Sequence, residues 1–135
     1  KLRDRIPGMT IRTTFITGYP GETEEQHREL VEFVESFGFD AMGVFAYSPE
    51  PGTPAGRLHR DQAVPEEIAQ HRLDELMFAQ QRVAFEKNRS LVEDAGEAAV
   101  LIDALEAPAT SRREPGVYVG RTRSQAPQID GVTRV

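Results

Sequence analysis

The sequence predicts an α/β fold in which a strand–helix–strand unit is followed by a long helix and a small all-β region. Two apolar runs rich in strand-forming residues, at 9–17 and 40–47, flank a segment at 23–37 whose apolar residues recur at helical spacing. Two strands joined by a helix usually lie parallel in one sheet. Beyond Gly96 the apolar pattern changes to a period of two, which is typical of half-buried strands.

The first predicted strand ends at a turn, residues 18–22, with the sequence GYPGE, and a helix follows at once. Thr23 and Gln26 have the spacing of a capping box, which predicts that the helix begins there. A turn between a strand and a helix lies at the carboxyl edge of a parallel sheet, where ligand sites of α/β proteins are usually found. The alternative interpretation is that the two glycines serve only the backbone geometry of the turn.

The charge of this turn restricts the ligands that it suits. Helix N-termini attract anions, but Glu22, Glu24 and Glu25 already place negative charge at this one. We therefore expect the turn to repel a nucleotide phosphate and to favour a ligand with positive charge or hydroxyl donors.

The next elements lead to a second turn at the same sheet edge. The first helix is predicted to end at Gly38, and its apolar face consists of Leu30, Val31, Phe33, Val34 and Phe37. The second strand is an almost continuous apolar run, as expected of a strand that is buried on both faces. It ends in a proline-rich loop, residues 48–54, which we expect to be rigid and to lie beside the first turn.

A second, long helix is predicted from Val64 to about Ala95, with Pro65 in its first turn and Gly96 after its end. Its apolar stripe consists of Ala69, Leu73, Leu76, Val83 and Leu91.

The histidines give weak signals. On the long helix, His71, Asp74 and Glu75 have a spacing that could ligate a metal, but a solvated helix surface is the favoured interpretation. His27 and His59 have no partners near them in sequence, and no role is predicted for either.

The last third of the chain is predicted to form strands at residues 98–105, 117–122 and 132–135. Its charge differs from that of the rest. Residues 1–106 carry 11 Lys or Arg and 20 Asp or Glu, whereas residues 107–135 carry 5 and 2. This basic tail could contact an anionic partner, and a few solvated arginines are the alternative.

The composition excludes several kinds of chemistry. The chain has no cysteine, which excludes disulfides, thiolate catalysis and cysteine-ligated clusters within these 135 residues. No apolar run approaches the roughly 18 residues of a membrane-spanning helix.

Segments along the whole chain resemble radical S-adenosylmethionine (SAM) methylthiotransferases, in the order in which that family has them. They are residues 12–25, around the first turn; 43–55, with the sequence GVFAYSPEPGTPA; 80–88, in the long helix; and 120–131, GRTRSQAPQIDG. The second and fourth segments are most similar to the branch of the family that modifies an aspartate of small-subunit ribosomal protein S-twelve. Another branch modifies tRNA.

The resemblance implies that residues 1–95 form the C-terminal part of a radical SAM partial (β/α) barrel with its exit helix, and that residues 96–135 form the N-terminal part of a truncated TRAM domain. The parent enzyme would bind SAM and two 4Fe–4S clusters in the cytoplasm. Its partner would be ribosomal protein S-twelve or the small ribosomal subunit, with tRNA as the alternative. Because the chain has no cysteine, the cluster ligands would lie outside it, and it is expected to be inactive alone, without catalytic or metal-binding residues of its own.

The resemblance also implies cofactor-binding residues at the positions that match. Ile16, Gly18 and Glu22 would belong to the motif that lines the SAM pocket, with Ile16 against the adenine. Phe45 and Tyr47 would complete the adenine side. The sequence departs from the general motif at one glycine position, and its glutamate lies one residue late.

In the TRAM part, Gly120, Arg121, Ile129 and Asp130 would belong to the face that binds the substrate.

Because of the basic tail, the sequence does not distinguish a protein substrate from an RNA substrate. Gln125 and Gln128 stand where the protein-modifying branch often has acids, and a basic face suits RNA better than a basic ribosomal protein. A tRNA substrate is therefore a second interpretation. A third is a binding module without catalysis that holds RNA or a ribosomal protein.

Overall fold

The structure, a computed structural model, describes residues 2–94, 99–108, 116–126 and 131–135. The chain divides into a first unit, Lys1–Ser90, and a second unit, Leu91–Val135. The elements in chain order are α1 (Leu2–Arg5), β1 (Arg12–Thr17), α2 (Glu24–Phe37), β2 (Ala41–Ala46), α3 (Pro54–Gln62), α4 (Glu66–Asp94), β3 (Leu101–Ala107), β4 (Val117–Arg121) and β5 (Thr133–Arg134).

The first unit contains the predicted strand–helix–strand unit. β1 and β2 pair in parallel, from Arg12 opposite Ala41 to Thr17 opposite Ala46. The capping box at the start of α2 is confirmed, because the Thr23 side chain accepts from the Gln26 N–H while the Gln26 side chain accepts from the Thr23 N–H. The predicted end of α2 at Gly38 is also confirmed.

Gly38 ends α2 in the left-handed conformation, with φ of 65°, and donates its N–H to Val34. This is the backbone geometry that glycine adopts most readily at a helix C-terminus.

The core lies on one face of this two-stranded sheet. Val34 of α2, Val44 of β2, and Leu76 and Ala79 of α4 form a buried cluster. Its partly buried neighbours are Phe15, Leu30, Val31, Met42 and Leu73. Helices α2 and α4 therefore cover the face to which Phe15 and Val44 point.

The prediction that the second strand is buried on both faces is wrong for this chain. Val44 is 9% exposed, but its neighbour Phe45 is 62% exposed. Successive side chains of a strand point to opposite faces, and the helices cover only one of them. An apolar run does not by itself distinguish the two cases.

Two further predictions need correction. Residues 48–54 were predicted to be a loop, yet Pro54 is already the first residue of helix α3. Thr53 caps α3 by accepting from the Gly56 N–H at 3.0 Å, and a threonine followed by proline is a recognisable helix start. In α4, the stripe residues Ala69, Leu76 and Val83 are buried, but Leu91 is 61% exposed.

The second unit is an antiparallel sheet in the order β3–β4–β5. The three predicted strands are confirmed, with shifted ends. Among the described residues of this unit only Gly120 is buried. Leu101, Ile102 and Leu105 of β3 are each about half exposed or more, at 63%, 47% and 52%. Within the described part of the chain, no helix is long and apolar enough to cross a membrane.

Asp40 connects the start of β2 to two other elements of the first unit. Its carboxylate accepts from the Ile11 N–H at 2.7 Å, from Lys87 of α4 at 2.5 Å and from Arg3 of α1 at 3.3 Å. Partial burial raises the pKa of Asp40, but these bonds from Ile11, Lys87 and Arg3 outweigh burial and hold the pKa below its usual value of 3.8. Because the folded pKa is the lower one, Asp40 stabilises the fold above about pH 4, and this stabilisation is lost as the pH falls through the folded value.

We expect Asp40→Asn to lower the free energy of unfolding by up to about 1 kcal/mol near neutral pH, the range for partly exposed ion pairs. Urea unfolding at about pH 7 and about pH 3 measures the effect, which should shrink at the lower pH. Asp61→Asn, at an exposed aspartate of α3, is the matched control. An Asp40→Asn effect of the same size at both pH values would contradict the prediction.

Candidate functional site

The two predicted turns meet at the carboxyl edge of the first unit's sheet. The Tyr47 N–H donates to the Thr17 carbonyl oxygen at 2.8 Å, which extends the strand pairing to this edge. The rings of Tyr19, in the first turn, and Tyr47, after β2, pack edge to face with their centroids 5.3 Å apart. The parallel arrangement thus brings the turns into contact, as the sequence predicts.

The sheet face that the helices leave uncovered, here called the open face, consists of Thr14, Ile16, Gly43 and Phe45. Thr14 lies opposite Gly43 and Ile16 lies opposite Phe45 in the strand register. Ile16 is 58% exposed and Phe45 is 62% exposed. Two of the residues implied as cofactor-binding are therefore direct neighbours on an accessible apolar surface at the edge where such sites lie.

Gly43 keeps the open face shallow between its larger residues. A Cβ atom at this position would lie 3.7 Å from Thr14 Oγ1 and 3.9 Å from the Phe45 ring. A side chain at position 43 would therefore stand between Thr14 and Phe45, on the surface that a flat ligand would use.

Glu22 is placed differently from Ile16 and Phe45. Its carboxylate turns back onto its own turn, where it accepts from the Gly18 N–H at 2.5 Å and from the Thr17 hydroxyl at 3.3 Å. Its side chain is only 11% exposed. Glu22 thus stabilises the turn after β1, and its carboxylate does not extend over the open face.

Gly18 is required by both its conformation and its surroundings. Its φ of 72° lies in the left-handed region, and a Cβ atom there would be 2.6 Å from the Ala69 Cβ of α4. The long helix therefore packs directly against the backbone of the turn.

Arg72 is a residue of this site that the sequence analysis missed. It lies on α4 and donates through Nη1 to the Glu22 carbonyl oxygen at 3.0 Å and to the Glu22 carboxylate at 3.1 Å. The prediction that this turn repels phosphate considered only its acids and omitted this arginine, which is 50 residues away in sequence. No local pattern signals a pairing over such a distance.

His59, for which the sequence predicts no role, lies at this same edge of the sheet. It is on α3, and its ring centroid is 5.9 Å from that of Tyr47. Tyr47 Oη and His59 Nδ1 are buried and have no hydrogen-bond partner in the described part of the chain. The helix α3, absent from the predicted elements, is what brings His59 to this edge.

Of the other two histidines, one connects two helices and the other faces solvent. His27 is 1% exposed, and its Nε2 lies 2.8 Å from Glu75 Oε2, so it connects α2 to α4. The His71 side chain is 73% exposed, as the solvated-surface interpretation predicts. The described residues contain no group of three or more His, Asp or Glu side chains that could hold a metal ion.

The second unit has a shallow groove of about 440 Å³ beside the start of β3. It is lined by Ala99, Val100, Leu101, Arg121, Thr122, Arg123 and Gln125. Of the residues implied as substrate-binding, Arg121 lines this groove. Gly120 packs against the lining residue Leu101, whose carbonyl oxygen a Cβ atom at position 120 would collide with. Ile129 and Asp130 lie outside the described residues.

Two arginines of the basic tail pair with acids of strand β3. Arg121 donates to Asp103 at 2.9 Å, and Arg134 donates to Glu106 at 2.7 Å. Hydrogen bonding to these acids raises the pKa of both arginines, and the bond from Arg134 lowers the pKa of Glu106. Residues 107–135 carry an excess of basic residues, but the whole predicted TRAM part, residues 96–135, carries five Lys or Arg and five Asp or Glu and is net neutral.

Gln125 is engaged inside the unit. Its Oε1 accepts from the Thr122 N–H at 2.7 Å and from the Thr133 hydroxyl at 2.9 Å, and its Nε2 donates to Gly131 at 2.6 Å. An acid could replace the accepted bonds but not the donated one. Gln125 therefore connects the residues that follow β4 to those at the start of β5. Gln128 lies outside the described residues.

Comparisons with known proteins identify relatives along the whole chain, whereas no family model matches it. The ribosomal protein uS12 methylthiotransferase RimO of Desulfitobacterium hafniense is 46% identical over 135 residues, all of this chain and 28% of that protein. The protein of the same name from Thermus thermophilus is 44% identical over 133 residues, which is 98% of this chain and 28% of that protein. The chain spans about a quarter of the length of these curated relatives. Along nearly its whole length, the chain matches the C-terminal part of RimO-type methylthiotransferases.

Proposed function

We propose that this chain is part of a cytoplasmic radical SAM methylthiotransferase that adds a methylthio group to the β-carbon of an aspartate in ribosomal protein S-twelve. The observation that carries the proposal is the pair Ile16 and Phe45, adjacent and exposed on the open face, in a chain that is 43–46% identical to RimO proteins over their matching part. Residues 1–95 would complete the SAM-binding barrel, and residues 96–135 would begin a TRAM domain.

The open face fits the adenine of SAM. Adenine is flat, with polar atoms around its edge and apolar faces, and stacking of a face against the Ile and Phe side chains removes apolar surface from water on both partners. Thr14 offers a hydroxyl on the same face, and Gly43 leaves room for a close approach. Glu22 would act on the cofactor indirectly, by holding the turn after Ile16.

When bound in the parent enzyme, SAM and two 4Fe–4S clusters would supply the radical that removes a hydrogen from the aspartate β-carbon and the sulfur that replaces it. This chain has no thiolate to ligate either cluster, so it would be inactive by itself. Its own contribution would be to bind and orient: the first unit holds the adenine, and the groove beside Arg121 contacts the substrate.

The ion pairs of the second unit bear on the choice of substrate. A tRNA-binding surface needs unpaired Lys and Arg to neutralise phosphates. Arg121 and Arg134 are instead paired with Asp103 and Glu106 of the same sheet. This pairing supports the ribosomal protein over tRNA as the substrate.

The test offers both substrates to the parent enzyme, with clusters reconstituted under anaerobic conditions, and reads each by mass spectrometry. We expect a gain of one methylthio group on an aspartate of ribosomal protein S-twelve and none on tRNA. With methyl-deuterated SAM the gain should increase by the mass of the label, and omission of SAM should abolish it. A gain on tRNA adenosine would replace the proposed substrate, and a parent without cluster-binding cysteines would favour a binding module.

A further inference from the structure

Arg72 connects the long helix α4 to the turn that follows β1. Only 5% of this residue is exposed. Besides its two bonds to Glu22, it donates through Nη2 to the Glu24 carboxylate at 3.2 Å. A buried guanidinium that binds both the backbone and the carboxylates of a turn fixes it more firmly than an exposed ion pair does.

Glu22 transmits this contact to the end of β1. One of its oxygens, Oε2, accepts from Arg72 and also from the Gly18 N–H. Without Arg72, this carboxylate would be a nearly buried charge without its counter-ion, and a buried charge without a partner is strongly unfavourable. It would turn toward solvent, and the Gly18 N–H would lose its acceptor.

Ile16 lies two residues before Gly18, at the end of β1, so a change in the turn is transmitted to the open face. We infer that Arg72 is a positioning residue for the cofactor site: through Glu22 it holds the turn after β1, and with it Ile16, in the orientation that adenine requires. The inference rests on the proposed function, because it takes SAM as the ligand of the open face. Arg72 acts through Glu22 and does not itself contact the cofactor.

The test compares Arg72→Met, Glu22→Gln and the double variant in the reconstituted parent enzyme. We expect Arg72→Met to raise the Kd for SAM about tenfold, which corresponds to about 1.4 kcal/mol. In the Glu22→Gln background the same change should cost much less, because no buried charge is left without a partner. Arg72→Lys should restore only part of the affinity, since an ammonium group cannot bind Glu22 and Glu24 in the same forked geometry.

Arg82→Met is the matched control, because Arg82 lies on the same helix, is 70% exposed and pairs with Glu35. It should leave the Kd for SAM unchanged. Affinity for ribosomal protein S-twelve should be the same in all variants, which separates positioning from general unfolding.

Two results would overturn the inference, and they differ. If the unsubstituted enzyme binds no SAM, the proposed function fails and the inference fails with it. If the enzyme binds SAM and Arg72→Met leaves the Kd unchanged, or raises it equally in both Glu22 backgrounds, only the positioning role is wrong.

Discussion

Replacing Gly18 with alanine is expected to destabilise the first unit by about 2–5 kcal/mol. The left-handed backbone at this position costs an alanine roughly 1–2 kcal/mol, and overpacking against a fixed neighbour adds about 1–3 kcal/mol. The neighbour is the Ala69 Cβ, which an alanine Cβ would approach to 2.6 Å. Neither atom can rotate away, because each is fixed directly to its backbone.

Two variants separate the cost of the left-handed backbone from the cost of overpacking. Gly52 has a φ of 84° and nothing within 4 Å of the position of a Cβ atom, so Gly52→Ala carries the backbone cost alone. Ala69→Gly removes the Cβ atom that Gly18→Ala would meet, and the double variant should recover most of the overpacking cost.

Thermal unfolding followed by circular dichroism gives the measurement. In a unit of this size, 1 kcal/mol lowers the Tm by about 4–8 °C, so Gly18→Ala should lower it by roughly 8–40 °C. If Gly18→Ala and Gly52→Ala shift the Tm equally, or Ala69→Gly brings no recovery, the close approach of α4 to this turn would be wrong.

Local signals explain what the sequence predicted well. The capping box at Thr23 and the glycine stop at Gly38 depend on residues close together in the chain, and the parallel pairing of β1 and β2 follows from the helix that joins them. The neighbouring positions of Ile16 and Phe45 follow from them, because two parallel strands of equal length end at one edge. These features could be predicted because each follows from a short segment or from the order of the elements along the chain.

The features that the sequence did not reveal depend on contacts over long separations. The Arg72–Glu22 pair spans 50 residues, and the fit of Gly18 to Ala69 depends on where α4 lies. The exposure of Phe45 depends on helices covering only one sheet face, which an apolar run cannot show. The helix α3 is different, because its cap Thr53 and its first residue Pro54 are local signals, but the proline-rich sequence around them is equally typical of a loop.

Replacing Phe45 with serine is expected to weaken SAM binding by the parent enzyme by roughly 10- to 150-fold. The estimate takes about 1.5–3 kcal/mol for the burial of one large apolar side chain against the ligand. The same change should alter the free energy of unfolding by no more than about 0.5 kcal/mol, because Phe45 is 62% exposed without ligand and packs little in the fold. Loss of affinity without loss of stability is the signature of a side chain that contacts the ligand.

The measurement is equilibrium binding of SAM to the reconstituted enzyme, with a thermal melt of the same samples. Phe78→Ser provides the control, because Phe78 is 67% exposed and lies on α4 away from the open face. Ile16→Ser should weaken binding in the same way as Phe45→Ser, since the two side chains are direct neighbours across the strands. If Phe45→Ser and Phe78→Ser have the same small effect on the Kd, the open face does not hold the adenine, and the cofactor must lie elsewhere in the parent enzyme.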